Sequence, residues 1–185
     1  MTLLVVPVLL SALSVPLLGG RLTALAELRL RWTPALLAAL ALQVVVWLAP
    51  GWPDAVLAIG HVASYGSAAV FLAANRQVPW LWLIGLGGLF NLAAIAANGG
   101  RMPASPAALE SAGLPAPEGF SNSTVVADAR LAFLGDVFAT PSGLGPFSNV
   151  FSVGDVCLVV GAALALHRIC GSRLGARREV TPRRR

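Results

Sequence analysis

Asp155 stands one turn inside the last long apolar run of the chain, Asn149-Val-Phe-Ser-Val-Gly-Asp155-Val-Cys-Leu-Val-Val-Gly161. A carboxylate costs free energy in such surroundings, so it marks a site by default and calls for a partner. Asp128 and Asp136 lie a short way upstream, with Arg130 between them and Asn98 and Arg101 before them. Two carboxylates in one dry site cannot both ionise comfortably; one keeps a proton and serves as acid while the other activates water. That chemistry is peptide hydrolysis, with Asp155 paired to Asp128 or Asp136 and Asn98, Arg101, Arg130, Asn149 and Ser152 in support. A plainer reading needs no reaction. A first-turn aspartate capped by Ser152 is stabilised by the helix macrodipole, and Arg101 or Arg130 completes an ion pair. No metal or cofactor is expected.

The elements that must position these groups are dictated by composition. The 185 residues are 57% hydrophobic and 11% charged, with mean hydropathy +0.78, whereas a soluble domain carries about 25% charge. Apolar runs approaching the roughly 20 residues of a spanning helix occupy 3–18, 34–48, 55–74, 79–97 and 150–167. The fold expected is an all-α integral membrane protein: a five-helix transmembrane bundle in one domain, 1–170, with a basic tail over 171–185. A cleaved leader would carry its positive charge before its apolar segment. Here the arginines follow it, so the first run is expected to be retained.

All thirteen basic residues are arginine, and eleven of them fall on alternate connections or in the tail. Arg101 and Arg130 are the exceptions, on the side where Asp54, Glu110, Glu118, Asp128, Asp136 and Asp155 collect. The positive-inside rule then places the N-terminus outside and the tail in the cytoplasm of a bacterial inner membrane. The partners expected are the bilayer and, at the tail, anionic lipid; no aromatic or Gly-rich pattern accompanies the arginines to suggest nucleic acid. Cys157 and Cys170, roughly 20 Å apart along one helix, cannot form a disulfide with each other.

Spans three and four are rich in Gly, Ser and Ala, which lets helix backbones approach closely. His61, one turn from Tyr65, is expected as an interhelical hydrogen-bonding residue, and Trp47, Trp52, Trp80 and Trp82 suit the two interfaces. The segment 19–33, with leucines among Arg21, Arg29 and Arg31, reads as a surface helix or a plain basic connector. The segment 98–148 is far longer than an ordinary loop and is expected to form an extracytoplasmic cap of short helices. One covers 107–112 after Ser105-Pro106, and a second covers 125–134 after Thr124.

Asn98-Gly-Gly-Arg-Met-Pro103, Leu134-Gly-Asp-Val-Phe138 and Asn149-Val-Phe-Ser-Val-Gly-Asp155 together resemble a family of small bacterial multispan membrane proteins of unknown function. Phe151-Ser-Val-Gly-Asp155 is also similar to the last-helix motif of signal peptidase II, a membrane aspartyl enzyme in which an aspartate opens the final helix from the outer side. That resemblance implies an aspartyl peptidase with Asp155 at the matching position. The sequence departs from it in having Ser152 and Gly154 where that motif has Asn and Ala, and in having five apolar runs rather than four. A structural or assembly subunit of a membrane complex is the third expectation.

Overall fold

A computed structural model describes residues 2–48, 51–115 and 123–175. Glu118, Pro50, the tail from 176 onward and the side chain of Trp47 lie outside the described residues. The chain is mostly helical: α1 (Thr2–Leu17), α2 (Thr33–Leu48), α3 (Asp54–Ala74), α4 (Leu81–Ala97), a short α5 (Pro106–Ala112) and α6 (Val153–Ile169). Four two-residue strands qualify the all-α expectation: β1 (Met102–Pro103), β2 (Ser123–Thr124), β3 (Phe138–Ala139) and β4 (Val150–Phe151). β1 and β2 pair in parallel, and β3 and β4 pair antiparallel.

Packing runs from α2 onto α3, α3 onto α4, α4 onto α6 and α6 onto α1. The tightest of these contacts is set by absent side chains. A β-carbon on Gly154 would collide with the Asn91 amide, and one on Gly87 would run into the Gly154 carbonyl. With both missing, α4 and α6 approach backbone to backbone, the role small residues have between apolar helices.

Successive long helices alternate in direction, so their ends form two groups. At one end Arg21 N–H donates to the Cys170 carbonyl (2.9 Å), Arg173 N–H to the Leu18 carbonyl (3.0 Å) and Arg31 N–H to Asn75 Oδ1 (2.8 Å). The other end carries Asp54, the segment that follows α4, and the start of α6. The expected surface helix over 19–33 is a 3₁₀ turn, Leu22–Glu27.

The outward faces are apolar. Leu9, Leu10, Leu13, Leu37, Leu40 and Ile59 are each more than half exposed, while His61, Ser64, Asn75, Asn91, Ser152 and His167 are buried. Large apolar side chains thus cover much of the surface, while the interior holds polar groups beside Val15, Leu57, Phe71 and Ile95. Among the described residues no buried side-chain nitrogen or oxygen lacks a hydrogen-bond partner. By length and composition, however, one helix among the described residues is long and apolar enough to cross a membrane, Asp54–Ala74. The other long helices, α1, α2, α4 and α6, have 16 or 17 residues.

Within the cap, α5 forms as its ends dictate. Ser105 Oγ accepts from Ala108 N–H, Pro106 fills the first turn, and Gly113 closes the helix at φ +67°. It packs Ala108, Leu109 and Ala112 against Ala104 and Val150. The second expected helix, 125–134, does not form. Asp128 and Leu131 both take φ +51°, and only a 3₁₀ turn, Ala132–Leu134, remains. The backbone groups there are satisfied across the chain rather than along it: Arg130 N–H and C=O bond the Asn98 side chain, and Asp136 bridges to Ala104 beside β1.

Candidate functional site

The site is built where α4 and α6 are closest, at the end that carries the cap. Ser152 is the N-cap of α6 and is fully buried. Its Oγ accepts from Asp155 N–H (3.0 Å), and Asp155 Oδ2 accepts from Ser152 N–H (3.0 Å), a reciprocal capping box. Asp155 Oδ1 accepts from Asn91 Nδ2 on α4 (3.0 Å). The Ser152 hydroxyl lies 2.9 Å from Asn91 Oδ1 and 3.0 Å from Asp155 Oδ2, and its one proton serves one of them at a time. Both oxygens of the Asp155 carboxylate are therefore engaged within the chain.

Tyr65 extends the cluster to α3. It lies beside the Asn91 side chain and packs against Ala94, Ile95 and Met102. Asp136 is 4% exposed and arrives from the cap, its backbone N–H donating to the Pro103 carbonyl (2.9 Å) and its carbonyl accepting from Ser105 N–H (3.0 Å). His61 sits one turn away, its ring 5.8 Å from that of Tyr65. Its Nδ1 lies 3.1 Å from the Gly100 carbonyl, which can only accept, so His61 donates from Nδ1.

The other expected site residues lie apart from this cluster. Asp128 is exposed on a cap turn. Asn98 donates from Nδ2 to the carbonyls of Ala94 and Arg130 and accepts from Arg130 N–H, so it fastens the cap to the end of α4. The part of Arg130 that this clamp holds is its backbone. Arg101 forms an ion pair with Asp54 at the start of α3, not with Asp155. Asn149 closes the β3–β4 hairpin by exchanging hydrogen bonds with Thr140. Asn91 and Tyr65 carry the centre and were left out of the expected set. The signal for them was there, since each is an uncompensated polar side chain inside an apolar run, and Tyr65 is the only tyrosine of the chain.

Two clefts open at this end of the bundle. One, about 190 Å³, is lined by Pro7 of α1 and by Phe151, Val156, Val159 and Val160, with Asp155 among them. The second, about 410 Å³, opens between the first turn of α3 and the cap. Among the described residues no group of three or more His, Cys, Asp or Glu side chains is placed to hold a metal ion. Chemically, the cluster can hold helix ends together through a carboxylate, an amide and two hydroxyls. Of the two acids expected beside Asp155, Asp136 is buried and Asp128 is exposed.

The chain matches a family described as a family of unknown function (DUF5317) over residues 27–167, more than half its length, and belongs to that family. No curated protein and no solved structure matches it.

Proposed function

We propose that this family member is an integral protein of a bacterial inner membrane, a five-span bundle with its N-terminus outside and its arginine-rich tail in the cytoplasm. Its outer cap would be an assembly or binding surface rather than a catalytic one. The apolar outward faces of α1, α2 and α3 support the membrane setting, because exposed leucine and valine on this scale ask for lipid or protein cover. The collection of Arg21, Arg29, Arg31, Arg76, Arg168 and Arg173 at one end supports the orientation. Helices of 16 or 17 residues span about 25 Å, short of a hydrocarbon core of about 30 Å. Local thinning of the bilayer and arginines reaching outward from the helix ends make up such a difference.

One observation carries the non-catalytic reading: both Asp155 oxygens are engaged, in a capping box and in a bond to Asn91. The test is Asp155→Asn in the full chain, scored for accumulation and thermal stability in detergent. The amide places a donor where an acceptor is needed, so loss of stability is expected. Normal accumulation and an unchanged melting curve would overturn this reading. Topology is checked by labelling single cysteines introduced at Thr140 and Leu174 in intact cells; labelling at 174 without labelling at 140 would overturn the orientation.

A second reading, an aspartyl membrane peptidase distantly similar to signal peptidase II, is favoured by the burial of a second acid, Asp136, and by the apolar cleft beside Asp155. Under it, Asp155→Asn accumulates normally and abolishes cleavage of a membrane-anchored leader peptide. Cleavage that survives the substitution removes it.

A further inference from the structure

The cleft of about 410 Å³ between α3 and the cap is used by neither reading. Its volume falls in the range of small-molecule sites, about 300 to 1,000 Å³. Charges of both signs stand side by side in its wall: Asp54, in the first turn of α3, and Arg101, which follows α4. Their side chains are 64% and 34% exposed, so solvent reaches both. The rest of the lining includes Ala55 and Ala58, one turn apart on α3, with Val125 and Val126 of the cap opposite.

Two local features make the cleft a built shape rather than a gap between loops. Gly100, at φ +87°, presses against Ala58 so closely that a β-carbon there would collide with it. Asn98 locks the preceding turn to both Ala94 and Arg130. The loop that carries Arg101 is therefore fixed against α3, and its guanidinium is held at the height of Asp54. Trp52, half-exposed two residues before Asp54, is placed as an interface residue.

On the membrane reading above, which this inference requires, the ion pair lies at headgroup depth and the Ala55–Ala58 face descends toward the acyl chains. We propose that this cleft seats the zwitterionic headgroup of an outer-leaflet phospholipid, its ammonium against Asp54 and its phosphate against Arg101, with an acyl chain along Ala55 and Ala58. The phosphate suits a guanidinium, whose planar fork of donors matches its oxygens. The ammonium suits the carboxylate. A headgroup carrying only negative charge leaves Asp54 facing an anion, so the site selects a zwitterion over an anionic lipid. The two alanines leave the width that an alkyl chain fills.

The test uses the full chain in nanodiscs of equal parts phosphatidylethanolamine and phosphatidylglycerol, with retained lipid identified by native mass spectrometry. The wild-type chain is expected to retain phosphatidylethanolamine preferentially. Asp54→Asn is expected to reduce that preference about ten-fold, the effect of one charge-assisted contact, whereas Arg101→Gln removes the contact to the phosphate that both lipids carry and is expected to lower retention of both about ten-fold. Ala55→Leu keeps both charges, fills the trough and is expected to lower lipid retention. Should either single charge variant fail to fold, the exchanged pair Asp54→Lys with Arg101→Glu keeps an ion pair but reverses it against the anchored chain, and loss of preference is again expected. No preference in the wild type, a preference that survives the exchange, or displacement by free phosphoethanolamine as effective as by lipid would overturn the proposal. Protein released from membranes by an alkaline carbonate wash would overturn the membrane reading itself, whereas membrane retention without headgroup preference removes this inference alone.

Discussion

The two ends of the bundle tie helices together with the same kind of bond and differ in what they leave open. At the arginine-rich end both connections, 18–32 and 75–80, are far shorter than the segment 98–152 at the other, and the polar side chains saturate one another. Asn75, fully buried, donates to the carbonyls of Arg31 and Phe71 and accepts from Arg31 N–H. His167 lies between Ser14 and Ser172, at 3.1 and 2.7 Å. Because the Ser14 hydroxyl already donates to the Ser11 carbonyl, His167 donates from Nε2 to Ser14. At the cap end, Asn98 and Asn91 act as the corresponding clamps, but both clefts described above also lie there, beside Asp155 and Asp54. The first end is a closure, and the second is a closure with room for another molecule. The long segment between α4 and α6 folds back on itself, and its Asn98, Arg101 and Val125 line the larger cleft.

The comparison breaks most severely at the contact both ends depend on. Gly154→Val drives a side chain into Asn91 and separates α6 from α4; a loss of about 3 kcal/mol or more is expected, read as failure to accumulate or a large drop in melting temperature in detergent. Next is Asn75→Ala, which strands the backbone N–H and C=O of Arg31 and should cost ~2 kcal/mol; equal melting of variant and wild type would show that the arginine-rich end is not held as described. Asp155→Asn at the cap end is expected to cost ~1 to 2 kcal/mol through the lost capping box and the Asn91 bond, with protease sensitivity rising in the cap and not at the opposite end. Smallest is Arg101→Gln, whose exposed ion pair contributes under about 1 kcal/mol. It should leave the melting curve nearly unchanged, and a large shift would mean that this pair is part of the closure rather than of the open cleft.

Much of the helical framework was legible because it is local. Apolar runs, the Pro53-Asp54 start of α3, the Ser105-Pro106 start of α5 and the Ser152 cap of α6 act within a few residues, and the helices lie where those signals fall. The cap was legible only in part. Its Val125 to Leu134 stretch has a helical pattern, yet Asn98, 32 residues away in sequence, captures the backbone of Arg130 and bends the chain instead. Local propensity lost there to bonds whose partners no short window contains.

The site divides along the same line. Ser152 and Asp155, three residues apart, could be read as a capping pair directly. That the third partner is Asn91, 64 residues earlier, could not. Nor could the sequence show that Arg101 would choose Asp54 over Asp155. By itself the amino-acid order determined which stretches are helical, which termini are capped and at which end the arginines gather, because hydrogen bonding along a helix and the alternation of charge are written in near neighbours. Only the tertiary structure decided which polar groups meet, because that choice follows from how closely Gly87 and Gly154 let two helices approach and from where the folded cap sets down its side chains.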